Sequence, residues 1–206
     1  MMQLSRIVLV QWHLFTREDL AITGDAAILG KNRSGKSTLI DLIQTVMTGG
    51  SRRLYRFNSS AGESGGGRSE RTLRGYCLGQ LNEYEFLRSE AVSHIALVFE
   101  DTEGSRPPVS IGLCVEATVR DEVQVVGLYV APGIRIETAM LVETVGPGQD
   151  RSAPWTIARE RLELACAARG TTLIKPDSPR NHIREYMRLL FTGRRPTDPD
   201  RFARAF

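Results

Sequence analysis

Residues 26–47 read AAILGKNRSGKSTLIDLIQTVM, and within them Gly30-Lys31-Asn32-Arg33-Ser34-Gly35-Lys36-Ser37 fills every fixed position of G-x-x-x-x-G-K-[ST]. Both flanks suit a phosphate-binding loop. Ala26 to Leu29 is a short apolar run that predicts a buried strand, and Leu39, Ile40, Ile43, Val46 and Met47 recur at helical spacing, so a helix is expected over Ser37–Met47. Glycine at 30 and 35 lets the backbone curl into a nest of N–H groups, to which the helix start adds its free amides and positive dipole end. Lys36 is placed to reach the β- and γ-phosphates, the Ser37 hydroxyl is the expected Mg²⁺ ligand, and Thr38 caps the helix or touches the α-phosphate. The expected cofactors are therefore ATP and Mg²⁺, held by residues Gly30 to Thr38.

Composition narrows the setting. The chain has 206 residues, enough for one sizeable core or at most two small ones, and a net charge of +3 that does not by itself mark a nucleic-acid binder. Its basic residues are nearly all arginine, with Lys31, Lys36 and Lys175 as the three lysines. Genomic base composition and bidentate phosphate contacts both account for that bias. Cys77, Cys114 and Cys166 are odd in number and lack C-x-x-C spacing, so they predict neither a zinc site nor a disulfide framework. Without a signal-peptide pattern or an apolar run of membrane-spanning length, the sequence reads as soluble and cytoplasmic, with no membrane partner.

Ahead of the loop, Arg6 to Phe15 and Leu20 to Thr23 predict a hairpin turning around Thr16-Arg17-Glu18-Asp19. Trp12 and His13 are either core residues or a contact for adenine. Behind the loop helix, Thr48-Gly49-Gly50 is a stop signal, and the following stretch, SRRLYRFNSSAGESGGGRSERTLRG, predicts a long exposed loop over about residues 50–72. Arg52, Arg53 and Arg56, interleaved with Tyr55 and Phe57, fit either a solvated loop or a track for a nucleic-acid backbone.

Residues 93–145 alternate as strands. Ser93 to Glu100 puts Ile95, Leu97 and Phe99 on one face, Val109 to Val119 alternates throughout, and Val123 to Val130 follows before Ala131-Pro132-Gly133. Short links between such strands mean antiparallel pairing, a meander without crossover helices. Ile95 to Asp101 also has the look of a Walker B strand, which would make Glu100 and Asp101 the acids of a self-contained small NTPase or kinase. The last third predicts helices over Ile157–Ala168 and from the Ser178 cap through Pro179 to Leu190, then another from Asp198-Pro199 that breaks off at Phe206, as in a fragment of a longer chain.

Taken together, the leading hairpin, AILGKNRSGKSTLIDLIQ, the glycine-rich stretch, Leu73-Arg74-Gly75 and the antiparallel block resemble the N-terminal half of an SMC-type ATPase head over most of the chain. VLVQWHLF and GESGGGRSERTLRGYCLGQ are most similar to the MukB/MksB-related branch that includes the JetC subunits of Wadjet plasmid-defence systems. That resemblance implies an α/β fold, an ABC-type P-loop NTPase head lobe with a mixed core sheet around the loop helix, an antiparallel meander and a helical C-terminal part, all in one lobe spanning 1–206. It implies ATP-dependent action on double-stranded DNA, near the bacterial nucleoid, in loop extrusion or plasmid restriction. Its partners would be the C-terminal half of the same head, a second head, and kleisin-like and accessory subunits. The signature motif, Walker B and catalytic glutamate would come from the C-terminal half, so this lobe alone would bind ATP and hydrolyse it poorly. Arg74 matches the family's LRG arginine, directed at nucleotide or DNA. The Q-loop glutamine has no clear counterpart, Gln44 and Gln80 matching by letter alone. Lys31-Asn32-Arg33 stands where the family often has Pro-Asn-Gly, adding two positive charges beside the phosphates. A different class of reading, a DNA-binding module with nucleotide as a structural ligand, fits the same motif.

Overall fold

A computed structural model describes residues 1–31, 35–55, 57, 71–146 and 149–191. Its centre is an antiparallel sheet of five strands in the order β2-β1-β3-β4-β5, formed by β1 (Met2–Trp12), β2 (Phe15–Ala21), β3 (Glu90–Asp101), β4 (Val109–Thr118) and β5 (Gln124–Pro132). The alternation in the sequence sets the register: Ile95, Leu97 and Phe99 of β3 face the same side as Val109, Ile111, Leu113 and Val115 of β4, as strand periodicity requires. That side is covered by α1 (Lys36–Met47), α2 (Leu73–Leu78) and α4 (Pro179–Leu190). Val8, Val10, Ala96, Val98 and Tyr129 face the opposite side, where α3 (Trp155–Ala167) and the hairpin of β6 (Val142–Gly146) and β7 (Gln149–Ser152) close a second core. With both faces covered, Ile7 to Val10 are buried without interruption.

The expected antiparallel meander is present, and the expected mixed sheet is not. Among the described residues no strand forms over Ala26 to Leu29, and this segment is irregular and exposed, Leu29 at 88% and Ile28 at 42%. The reason is the pairing of its neighbours. β1 has β2 on one side and β3 on the other, so the segment leading into the phosphate loop has no open central edge to join.

The leading hairpin also turns earlier than its composition predicts. His13 and Leu14 make the turn, and Thr16 to Asp19 lie in β2. Their charges fit an edge strand and fasten it to the far layer. The Asp19 carboxylate accepts from the Thr138 hydroxyl at 2.6 Å and the Thr138 amide at 3.2 Å, while Arg17 donates to the Thr138 hydroxyl and pairs with Asp150. The Ser178 cap is as expected, its hydroxyl accepting from the Asn181 amide at 3.3 Å with Pro179 opening α4. α2 and the β6–β7 hairpin carry no signal that the composition made legible. Most of the anticipated loop at 50–72, and the last helix from Asp198, lie outside the described residues.

Two histidines are wholly buried in this frame. His94 on β3 shares a hydrogen bond of 2.7 Å with the Ala153 carbonyl, and His182 on α4 one of 3.0 Å with the Val46 carbonyl. A carbonyl only accepts, so the Nε2 of each ring carries the proton. Burial pushes both rings down to about 4, and their carbonyl partners only partly offset it. Both stay neutral in the fold while the unfolded chain takes up protons below about pH 6.5, so stability is full above that pH and falls as it drops towards 4. Each ring contributes up to about 3 kcal/mol to that loss. Urea midpoints measured from pH 7.5 to 4.5 should decline across this window, and His182→Gln should make that decline shallower, by about as much as His94→Gln.

Candidate nucleotide-binding site

Gly35 sets the geometry of the phosphate loop. It stands immediately before α1 with φ +89°, a left-handed conformation natural to glycine, and an added Cβ would meet the Phe15 ring at 3.2 Å. No side chain caps this helix start and no acid lies in its first turn, so its leading N–H groups and positive dipole end stay open to an anion. The Lys36 ammonium turns back over the loop and donates to the carbonyls of Gly30 at 2.6 Å and Lys31 at 2.7 Å. Those contacts fold its charge back over Gly30 and Lys31 at the start of the loop. The structure thus gathers Gly30, Lys31, Gly35, Lys36, Ser37 and Thr38, while Asn32, Arg33 and Ser34 lie outside the described residues.

An aromatic stack supports this turn from below. Trp12 is fully buried and its indole N–H donates to the Thr38 carbonyl at 3.2 Å. It cannot face an adenine as the sequence allowed, because the ring is stacked on Tyr76 of α2, with centroids 4.8 Å apart and planes 9° from parallel. His13 meets the edge of the same tyrosine, and burial, with Arg71 and Arg88 nearby, pulls its imidazole below its ordinary range. The Tyr76 hydroxyl in turn donates to the Asp41 carboxylate, on the face of α1 turned to the core, and accepts from Arg71 at 3.0 Å. Arg71 also stands 3.6 Å from that carboxylate, whose side chain is 0% exposed. Burying a carboxylate is expensive without such partners, so Asp41, Tyr76 and Arg71 act as a unit that fixes α1 against α2.

Sequence reasoning passed over Tyr76 and Asp41. Asp41 lies beside Thr38 and Thr45 on the buried face of α1, outside the apolar set that predicted the helix, and so carried no signal of its own.

Other anticipated residues fall elsewhere. Arg74 reaches the Asp121 carbonyl at 2.5 Å, in the link between β4 and β5, so its described contact is structural. Tyr55 and Phe57 are not a platform for bases. Their rings pack together at 4.4 Å, Phe57 meets the edge of Tyr76, and burial pushes the Tyr55 phenol up to about 12. Arg52 and Arg53 are exposed in the turn after α1, and Arg56 lies outside the described residues. Gln44 sits two turns along α1 from Lys36, roughly 12 Å along the axis. Gln80 bridges to Phe86.

The acids proposed for a Walker B strand are misplaced. Met2 pairs with Asp101 at one end of β1, whereas Trp12, ten residues on, touches α1 at the other. At about 3.3 Å per residue the two ends are roughly 33 Å apart. Asp101 is occupied by the amino terminus at 2.6 Å and the Ser105 hydroxyl at 2.6 Å, and Glu100 by Arg135. Glu100 and Asp101 therefore cannot serve the phosphate loop, and a self-contained NTPase built on them is excluded.

A cleft of about 570 Å³ at the end of β3 and β4 contains none of the loop residues and is edged by Glu90, Glu116, Asp121 and Glu122, which would repel a triphosphate. Among the described residues no three His, Cys, Asp or Glu side chains gather into a metal site, and no helix is long and apolar enough to cross a membrane.

Comparison with protein families agrees with the loop. Residues 4–64 match the P-loop containing region of AAA domain, a stretch that takes in β1, β2, the phosphate loop and α1. The comparison with curated proteins gave no match. The chain thus carries a P-loop region of the kind found in nucleotide-binding NTPases.

Replacing Tyr76 by phenylalanine keeps the stack on Trp12 but removes the O–H that serves Asp41. Hydrogen bonds to buried charges are worth about 1.5–3 kcal/mol, so Tyr76→Phe should lower stability by about that amount in urea denaturation, with the near-ultraviolet signal of Trp12 changed little.

Proposed function

We propose that this chain is the ATP-binding lobe of an SMC-like ATPase head, of the MukB/MksB-related kind, that acts on double-stranded DNA once a C-terminal lobe completes it. The observation that carries the reading is the exposed apolar run Ala26 to Leu29. It leads straight into the phosphate loop and, among the described residues, has no strand beside it, although such loops are normally mounted on a buried strand. A neighbouring strand from a C-terminal lobe would cover Leu29 and bring the missing acid to the γ-phosphate. The absence of any acid near Lys36 on β3 agrees with that division of labour.

The residues present suit Mg²⁺–ATP. The open amides at the start of α1 and the ammonium of Lys36 would hold the phosphates, and the Ser37 hydroxyl would be the protein's ligand to the metal. When bound, the metal would neutralise phosphate charge, with Ser37 holding it. Lys36 exchanges its two carbonyl contacts for phosphate oxygens, and Gly35 keeps the backbone free of a side chain where the anion approaches. In this reading a second head closes over the bound nucleotide, and kleisin-like subunits link the pair.

Titration with a fluorescent ATP analogue and Mg²⁺ should show saturable binding by the 206-residue chain, with turnover at background. Lys36→Ala should weaken binding about ten- to a hundredfold, the value of losing a charge-assisted contact. Robust turnover by this chain alone, abolished by Lys36→Ala, would overturn the split-site reading. Failure of the wild-type chain to bind the analogue would overturn nucleotide binding itself.

A further inference from the structure

We infer that the solvent face of α4 is a binding surface for the phosphate backbone of duplex DNA, an assignment that rests on the DNA-acting reading above and gives it a place. Arg180, Arg184 and Arg188 recur every four residues on α4 and are all exposed, Arg184 and Arg188 with 64% and 62% of their side chains in solvent. The opposite face, His182, Ile183, Tyr186, Met187 and Leu190, is buried against the sheet. Arg52 and Arg53 are exposed in the turn after α1, three and four residues beyond Gly49, whose added Cβ would lie 3.0 Å from the Pro179 Cα at the start of α4. On α4 and its lead-in, Glu185 and Asp177 stand against the three arginines of the helix. Glu185 is shared between Arg188 at 3.2 Å and Arg184 at 3.6 Å, and Asp177 is engaged by Asn181 and Ser178. The face stays net positive.

Its chemistry favours nucleic acid over other anions. Every cation on it is arginine, whose planar fork matches phosphate oxygens in pairs. Nine residues of helix carry the three guanidinium groups across about 12 Å, comparable with the ~12 Å major groove whose edges are lined by phosphates. Between them α4 turns Asn181 and Glu185 towards solvent, and the apolar exposure at its end is limited to the partly buried Leu189 and to Phe191 at 44%, short of the continuous apolar face that an interfacial membrane helix needs.

The surface is also joined to the nucleotide site. His182 and Tyr186, on the inner side of α4, donate to the carbonyls of Val46 and Met47, at 3.0 and 2.9 Å, and so hold the far end of α1.

The test uses the whole chain and a fluorescein-labelled 30-base-pair duplex of arbitrary sequence, with anisotropy followed from 50 to 200 mM salt. Each phosphate contact contributes about 0.9 to the slope of log affinity against log salt. The triple variant Arg180→Gln, Arg184→Gln, Arg188→Gln should therefore reduce that slope by about two to three and cost more than tenfold in affinity at 100 mM salt. A charge-matched variant on other surfaces, Arg135→Gln, Arg151→Gln, Arg159→Gln, should change neither by more than about a third of that. Equal effects of the two variants would overturn the assignment to α4 and leave DNA binding standing. Absence of duplex binding by the wild-type chain at 50 mM salt would defeat the DNA-acting reading along with it, without touching ATP binding, which the analogue titration measures separately. Competition by polyglutamate as effective as unlabelled duplex, charge for charge, would replace DNA with an acidic protein and overturn the proposal.

Discussion

The phosphate-loop helix is held at both ends by side chains that donate to its carbonyls, and the rest of the structure is built around that restraint. At its start the Trp12 indole binds the Thr38 carbonyl, and at its end His182 and Tyr186 bind those of Val46 and Met47. The last carbonyls of any helix lack intrahelical partners, and buried ones need donors from elsewhere. The amides of Thr48, Gly50 and Gly49 serve Gln44, Thr45 and Val46, and α4 adds a second donor to Val46 and one to Met47. The helix N-terminus is treated in the opposite way: Gly35 brings no cap, and the amides are left for a ligand. One end of α1 is finished by the protein and the other by whatever it binds.

The middle of the same helix carries the costliest group in the core. Asp41 would be out of place on an apolar face unless its charge were matched, and Tyr76 and Arg71 match it from the segment that opens α2. Tyr76 also stacks on Trp12 and meets Phe57, so a single ring touches the strand that precedes the loop, the segment after α1, and α1 itself through Asp41. A shift of α1 along its axis on binding an anion would have to break a hydrogen bond in this set. The start of α1 is therefore preorganised, and little of the binding energy is spent on placing it.

What the sequence made legible was whatever depends on local spacing. The G-x-x-x-x-G-K-S pattern located the loop, the 3.6 period located α1, the strict alternation of Val109 to Ala117 located β4 and its face, and Ser178-Pro179 located the start of α4. What it hid depends on partners distant in the chain. Thr16 to Asp19 look like a turn because they are charged, yet their charges serve an edge strand tied to Thr138 and Asp150. Ala26 to Leu29 look like a buried strand because they are apolar, yet β1 has no side left to receive them. α2 is six residues long with a glycine in its middle, too short for periodicity to register. Trp12 was legible as a strand aromatic, but its partner Tyr76 lies far along the chain and left no local trace.

The register of β1 decides the harder chemical question. A P-loop hydrolase needs a carboxylate close enough to the γ-phosphate to hold metal or water, and the acids that end β3 are the ones the sequence offers in a suitable frame. Antiparallel pairing sends them the wrong way. Because β3 runs against β1, and β1 delivers Trp12 to the helix start, the end of β3 bearing Glu100 and Asp101 must emerge at the opposite edge of the sheet. No side-chain rearrangement spans a strand of that length. If β3 ran parallel to β1, the same residues would arrive beside Lys36. The direction of one strand thus keeps both acids away from the phosphate loop, at the far end of the sheet from Lys36.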